Sequence, residues 1–443
     1  MTVSRTICIG FLALIVVGTL LLMLPVSLAS GEWNSPLTAL FTATSAVCVT
    51  GLIVVDTGTY FSSFGQGVVL TLIQLGGLGY MSATTLLLLL LGRRLGLKDK
   101  LAIQQAMETA ELANVKTLLI SIISMTLIFE LTGAFCLMPT FTETFGTGRS
   151  LWLSVFHSIS AFNNAGFSLF PDSLVGYAED AWPMAVISAL IVIGGIGYQV
   201  IMEAFMWARS TLGRSKMRTV FSLHFKTVTS TTLMLLILGT VAFFLIEYDN
   251  STLAGKSFGV KFLLAGFQSV VMRTAGFNSI DIGAMETSAL FMAIALMFVG
   301  ASPGSTGGGI KTTTVRILLV STYTALRGKD EVNFYQRQIP MARVLKALSV
   351  VVASVISVVI ITTCISLSDP TLPFIKILFE AVSAFATVGL STGITADLST
   401  LGQLFIIATM YIGRVGILLL MSALLGDPSP TRIHYPEEDL LTG

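Results

Sequence analysis

Four short motifs ending in glycine recur along the chain: Val49-Thr50-Gly51, Asn164-Ala165-Gly166, Thr274-Ala275-Gly276 and Thr387-Val388-Gly389. The glycines are separated by 115, 110 and 113 residues. A constant interval of this kind marks one supersecondary unit built several times. A short apolar stretch with helical spacing runs into each motif, at 35–46, 150–162, 260–271 and 373–385. Ser35-Pro36 reads as a helix start, a capping residue followed by proline in the first turn. An acid follows each glycine, at Asp56, Asp172, Asp281 and Asp397. Whatever this chain folds into must place four copies of one element next to one another.

The solvent for those copies is a bilayer. Of the 443 residues 54% are apolar and 11% charged, against roughly 25% charged in soluble domains. Each unit reads as a helix, a short helix, a loop and a closing helix. The first helices are expected at 7–28, 115–138, 227–248 and 344–367, and the closing helices at 67–91, 183–208, 288–326 and 401–425. Most have the roughly 20 apolar residues a span requires. The segment 7–28 follows Arg5 and resembles a signal sequence, but it is longer than an ordinary signal core and fills the first-helix place of unit one. The expected fold is therefore an all-α integral membrane protein with four helix–pore-helix–helix repeats around a pseudo-fourfold central pore. The expected boundaries are 1–92, 93–208, 209–327, 328–425 and a tail at 426–443.

Orientation follows from the bases. Arg5, Arg432 and three five-base clusters after units one, two and three place 17 of the 25 lysines and arginines on one face. By the positive-inside rule that face and both termini are cytoplasmic, in a multi-pass protein of the cell membrane. The opposite face has only Arg149, Lys256, Lys261, Arg273 and Lys376, outnumbered by acids. Such a face concentrates cations.

The short helices are too short to span, so each is re-entrant and must be covered by protein or water. Thr387-Val388-Gly389 after a short helix is similar to a potassium-channel filter, where backbone carbonyls replace the ion's hydration shell. Glycine suits that role because no side chain blocks the backbone and both signs of φ are open to it. Helix C-termini aimed at the axis would each add about half a negative charge. No cofactor is expected, and potassium is the expected ion, seated at the filter carbonyls. The candidate filter residues are the twelve of the four motifs.

The third closing segment is broken by Gly300-Ala301-Ser302-Pro303-Gly304-Ser305-Thr306-Gly307-Gly308-Gly309. So much glycine, with a proline, will not hold a regular helix. Its freed backbone groups cannot face lipid, so it is expected to line the path as a gate, with Lys311 at its end and Arg414 at matching depth in unit four. The other closing segments carry a compact Gly-x-x-Gly there (Gly76 to Gly79, Gly194 to Gly197, Gly413 to Gly416), read as helix packing. Two motif matches are set aside. Gly300-Ala301-Ser302-Pro303-Gly304 fits a hydrolase elbow without the strand–turn–helix setting. Residues 304–312 resemble a phosphate loop, but Ile310 replaces the glycine before Lys311 and no βαβ unit surrounds it. Glu130 and Glu203 are either ion sites or partners in interhelical hydrogen bonds, the second being the expectation. The cysteines Cys8, Cys48, Cys136 and Cys364 and the histidines His157, His224 and His434 show no metal spacing.

Taken with Phe162-Asn163-Asn164-Ala165-Gly166-Phe167, Arg273-Thr274-Ala275-Gly276-Phe277-Asn278, Gly309-Ile310-Lys311 and Tyr411-Ile412-Gly413-Arg414-Val415-Gly416, the whole chain resembles the Trk/Ktr/HKT superfamily of potassium transporters, and within it the Ktr membrane subunits. The resemblance implies potassium uptake, a homodimer joined in part by the tail (His434-Tyr435-Pro436 to Gly443), a cytosolic ring of nucleotide-binding RCK subunits on the basic loops, and sodium as a possible activator or co-ion. It implies potassium preference from Gly51, since serine at that place goes with sodium selectivity in HKT relatives. Cys48 and Met272 depart from the expected threonine and proline. The alternative is a secondary transporter of sodium or of an organic substrate, for which charged midplane residues on two broken-helix halves would be needed. An enzyme would need a catalytic cluster that the sequence does not present, and no nucleic-acid partner is expected.

Overall fold

The computed structural model describes residues 3–79, 115–212 and 220–425. The rest of the first closing segment, much of the basic linkers after units one and two, and the tail with its expected dimer contact lie outside those residues. Unit one comprises α1 (Val3–Met23), α2 (Pro36–Val47) and α3 (Ser63–Gly77); unit two α4 (Val115–Phe145), α5 (Thr147–Phe162), α6 (Ala181–Ile196) and α7 (Tyr198–Leu212). Unit three comprises α8 (Leu223–Glu247), α9 (Phe258–Val271), α10 (Thr287–Phe298) and α11 (Thr312–Leu326). A hairpin, β1 (Asn333–Phe334) with β2 (Arg337–Gln338), leads to unit four: α12 (Met341–Ser368), α13 (Phe374–Phe385), α14 (Thr400–Val415) and α15 (Ile417–Leu425).

Among the described residues α1, α4, α8 and α12 are each long and apolar enough to cross a membrane, and the bent pairs α6–α7 and α14–α15 make up to six spans. The fold is a mostly helical membrane fold. Leu345, Val352, Ile356, Val359 and Ile360 on α12 stay exposed, as a lipid-facing surface requires. Two first helices end elsewhere than the hydropathy suggests. α1 stops at Met23, not at 28, because Pro25 holds the preceding Leu24 extended. α4 runs seven residues past the expected 138, with Pro139 inside it. Pro139 removes a ladder bond, and the Trp182 indole donates to Cys136 O in the same turn (2.8 Å).

The closing segments differ from the expectation more. In units two and four they are not continuous helices. α6 and α7 meet at 104° across Gly197, and α14 and α15 at 93° across Gly416. Those glycines have φ of +96° and +86°, which L-residues rarely adopt. Gly79 in unit one has φ +77°. The break of unit three is thus the longest of a set. The first glycine of each compact motif does serve close packing. A Cβ on Gly76, Gly194 or Gly413 would collide with the carbonyl oxygen of Val47, Phe162 or Phe385, the last residue of the short helix in the same unit.

Successive units pack in a cycle. Each closing helix lies against the short helix of the next unit: α3 on α5, α6 on α9, α10 on α13, and α14 back on α2. The short helices are shielded in this way; from Phe41 to Val47 every residue of α2 is buried. Ser35 stands at the start of α2 but its side chain makes no cap bond there, so Pro36 alone marks the start.

Acids brace the loops on the short-helix side. Asp56 accepts from Gly58 N and Thr59 N, and Asp281 from Gly283 N, so two of the four acids after the glycines are turn caps. Asp369, just past α12, accepts from Ser399 N (2.7 Å) and the Ser399 hydroxyl (3.0 Å) at the start of α14, and from the Ser368 hydroxyl. Burial pushes its carboxyl up, but these hydrogen bonds outweigh it and hold the pKa below the ordinary aspartate value. A depressed pKa stabilises the fold above the unfolded value, about 3.9, and that contribution is lost as pH falls through the folded value. Asp369→Asn is expected to lower the thermal midpoint in detergent at pH 7 and to flatten its fall between pH 5 and 3. An unaltered pH profile would show that the Asp369 contacts do not brace α14.

Candidate functional site

The four short helices end in the same way. Their last residues are followed by one in the left-handed region: Val49 (φ +57°), Asn164 (+59°), Thr274 (+66°) and Thr387 (+51°). Two residues on, Gly51, Gly166, Gly276 and Gly389 are again at positive φ, +90°, +70°, +71° and +89°. Thr50, Ala165, Ala275 and Val388 between them are not. A strand alternates its carbonyls between two sides; a segment whose φ changes sign at every residue can turn successive carbonyls to one side. Holding β-branched Val49, Thr274 and Thr387 there costs about 1–3 kcal/mol each, which persists only where the surroundings over-determine it. All twelve motif residues are buried.

What over-determines them is a bond pattern at the helix end. Thr50 N, Ala165 N and Val388 N donate to the carbonyls of Ser45, Ser160 and Ser383, the six-to-one closure of a left-handed C-cap. The same serines act again through their hydroxyls. Ser45 Oγ accepts from Gly51 N (3.0 Å), Ser383 Oγ accepts from Gly389 N (3.1 Å), and Ser160 Oγ donates to Phe167 O (2.7 Å). Serine six residues before the glycine is a signal present in the sequence and missed there. Unit three has one more residue between helix and glycine, so Ser269 stands seven residues back and bonds Leu236 O instead. The extra length includes Arg273, buried to 6% exposure, whose Nε has no partner among the described residues. Ser45→Ala and Ser383→Ala each strand a buried amide, a loss of about 1–3 kcal/mol. A thermal midpoint lower by a few degrees is expected for each. Ser349→Ala, at an exposed serine bonded only to its own helix at Leu345 O, should leave it in place; equal effects at all three would deny the serines this role.

The glycines lie in a ring. A Cβ built on Gly51 would strike Ala165 O, one on Gly166 would strike Ala275 O, one on Gly276 would strike Val388 O, and one on Gly389 would strike Thr50 O. Each glycine thus rests on the carbonyl just before the next, and the fourth returns to the first. The hydroxyls of Thr50 and Thr387 are buried without a protein partner among the described residues. Oxygen lone pairs, of carbonyls and of hydroxyls alike, are what a bare alkali cation takes in place of water.

The segment 299–311 closes against this ring. It leaves and returns through a parallel bridge, Val299 to Ile310. A Cβ on Gly307 would meet Thr274 Oγ1, and one on Gly308 would meet Thr387 Oγ1, so the two glycines sit under the threonines of units three and four. Ser302 N and Thr306 N donate to Gly195 O and Gly194 O of unit two. The Ser302 hydroxyl meets Thr312 Oγ1 (3.1 Å), and Ser305 Oγ donates to Ser302 O (2.6 Å). Lys311 Nζ donates to Gly307 O (2.9 Å). Arg414 donates to Thr306 O and, from its other nitrogen, to Gly76 O. One guanidinium thus joins the loop of unit three to the closing helix of unit one. Gly300 and Gly309 pack on each other, and Gly304 O accepts from Tyr198 N.

Glu130 and Glu203 are hydrogen-bonding centres. Glu130 accepts from Gln74 Nε2 (3.2 Å) and Asn163 Nδ2 (2.9 Å), joining α4, α3 and the end of α5. Glu203 accepts from Ser222 N and its hydroxyl at the start of α8. Among the described residues no three His, Cys, Asp or Glu side chains gather as a metal site, and the four cysteines are free.

A family model described as TrkH, cation transport protein, matches residues 4–430. The chain belongs to the TrkH family. Within the TrkH family it is 39% identical to the Ktr system potassium uptake protein B of Bacillus subtilis, over 100% of this chain and 97% of that one. It is 39% identical to the protein of the same name from Vibrio alginolyticus, over 99% and 94%. It is 38% identical to the potassium/sodium uptake protein NtpJ of Enterococcus hirae, over 99% and 97%. The crystal structure of the potassium transporter TrkH from Vibrio parahaemolyticus superposes with a TM-score of 0.74 at 17% identity, covering 95% of this chain and 85% of that one. At that identity the likeness speaks for the TrkH fold.

Proposed function

We propose that this TrkH-family chain is the membrane subunit of a Ktr-type system and takes up potassium through a selective pore on a pseudo-fourfold axis. One observation carries the reading: the four glycine motifs form a ring in which each glycine rests on the carbonyl before the next. The twelve motif residues are the filter, with potassium as substrate at their carbonyls. Four helix C-termini ending at the ring add negative potential without any covalent chemistry. The units 1–92, 93–208, 209–327 and 328–425 each supply one side. The loop 300–309, with Lys311 and Arg414, is the gate. The clustered bases support a cytoplasmic position for the loops between units and both termini; a nucleotide-binding RCK ring docks there, and the tail 426–443 joins a homodimer. What supports the Ktr assignment is full-length similarity to two Ktr system potassium uptake proteins.

The deciding experiment is rubidium uptake in a cell lacking its own potassium uptake, with and without a cytosolic RCK subunit. Uptake that saturates and is competed by potassium is expected. No flux under any of these conditions, including added sodium, would remove the reading. A second reading, sodium as co-ion or alternative cargo, is favoured by the name of one relative, a potassium/sodium uptake protein. Sodium-22 entry in the same cells separates the two.

A further inference from the structure

On the side of the loop away from the glycine ring lies a cavity of about 1470 Å³. Among the described residues that line it are five bases, Lys311, Arg316, Arg343, Lys346 and Arg414, and no acid. Five like charges around one low-dielectric space repel one another and attract counter-ions. A cation path calls for acids or free carbonyls, and here four carbonyls of the loop are already taken. Gly304 O accepts from Tyr198 N, Thr306 O from Arg414, Gly307 O from Lys311 and Gly308 O from Ala301 N. What the loop and the helix after it offer the cavity is donors.

The donors converge at one place. Arg316 lines the cavity; its Nε is buried without a partner among the described residues, and its guanidinium lies on the Phe334 ring at 4.9 Å. Among the described residues Nη1 has a long contact to Met234 Sδ (3.7 Å). Stacking of this kind leaves the edge of the fork available for an oxyanion. One turn earlier α11 begins, with no side chain capping its N-terminus, and Thr313 and Thr314 of its first turn line the same cavity. Arg343 and Lys346 face it from one turn of α12. The order glycine-rich loop, Lys311, threonines, helix is that of a phosphate loop, with Ile310 in place of a glycine and without the strand that holds a nucleotide.

The geometry points to a binding site in this cavity for a phosphate-class oxyanion, gripped by Arg316 and the first turn of α11, with Lys311, Arg343 and Lys346 supplying charge. A phospholipid headgroup from the inner leaflet and free phosphate share that chemistry. Bound there, the anion neutralises the bases and draws Lys311 from Gly307 O, loosening the loop and raising flux. That consequence rests on the gate reading above; binding itself does not.

The test uses the full chain in phosphatidylcholine nanodiscs, with inorganic phosphate titrated at constant ionic strength and thermal unfolding as the readout. A saturable rise in midpoint is expected with phosphate and not with chloride, and Arg316→Gln should weaken it at least tenfold. If Arg316→Gln does not fold, the exposed pair Arg343→Gln and Lys346→Gln replaces it with the same expectation. A parallel arm uses discs containing phosphatidylglycerol and no free phosphate. A rise there alone, removed by the variants, assigns the site to the lipid headgroup. No rise in either arm, or equal rises in parent and variants, overturns the proposal. Intact phosphate binding in a protein that moves no potassium would count against the functional reading and leave the anion site in place.

Discussion

Gly51→Ser should reduce the potassium-to-sodium permeability ratio about tenfold or more, the equivalent of about 1.4 kcal/mol between the two ions. Gly51 has φ +90°, and a Cβ on it would collide with Ala165 O and press on Gly166 Cα at 3.2 Å. The backbone must shift at one quarter of the ring, and the shift passes to its neighbour because each glycine rests on the next. A left-handed L-residue alone costs roughly 1–2 kcal/mol. The displaced Ala165 carbonyl no longer holds the spacing that suits the larger ion, while the new hydroxyl is an oxygen at short range for the smaller one. Gly148→Ser is the control: that glycine is exposed, at ordinary φ, with nothing near its Cβ position, and the ratio should not move. A well-expressed Gly51→Ser protein with the parent ratio would take Gly51 out of the filter.

Arg414→Ala should raise flux several-fold and reduce its dependence on a cytosolic partner. Its two donations, to Thr306 O and Gly76 O, tie the loop of unit three to unit one. Hydrogen bonds from a charged group contribute about 1.5–3 kcal/mol each, enough to move a closed–open equilibrium by one or two decades. Water in the cavity can satisfy the two carbonyls once the guanidinium is gone. Deleting residues 305–308 should act in the same direction, and so should Gly308→Ala, whose new methyl would meet Thr387 Oγ1. Arg414→Lys keeps the charge but gathers its three donors on one nitrogen and loses the fork that spans the two carbonyls, so it should fall between parent and alanine. Folded variants that all transport like the parent would show that the loop is no gate.

The short helices and their glycines were legible because a re-entrant helix has a composition and length of its own, and because four copies repeat the evidence. The breaks at Gly197 and Gly416 were not. Hydropathy runs unbroken from α6 into α7 and from α14 into α15, and a glycine at positive φ looks in sequence like one that packs. The supporting serines were hidden for another reason: Ser45, Ser160 and Ser383 share an offset from the glycine, but the extra residue in unit three displaces Ser269 and spoils the fourfold pattern. Arg414 was readable as a costly charge in search of carbonyls, whereas its second partner, Gly76 O, lies 338 residues away and leaves no local trace. That no acid among the described residues lines the cavity emerges only when α11, α12 and α14 are brought together.

The cyclic packing has a consequence for synthesis. The chain emerges from the ribosome one unit at a time, and domains form in that order. The contact of α14 on α2 and of Gly389 on Thr50 needs the last unit, so the ring stays open on one side until synthesis is almost complete. A chain released early has three sides and no closed ring of glycines. Contacts between residues so distant in sequence are also slow to form, since loop closure must precede any gain from contact. Four separate subunits could exchange or fall short in number; a single chain that bites its own tail fixes the count at four and lets each side differ, as the long break of unit three and the Arg414 side chain of unit four do.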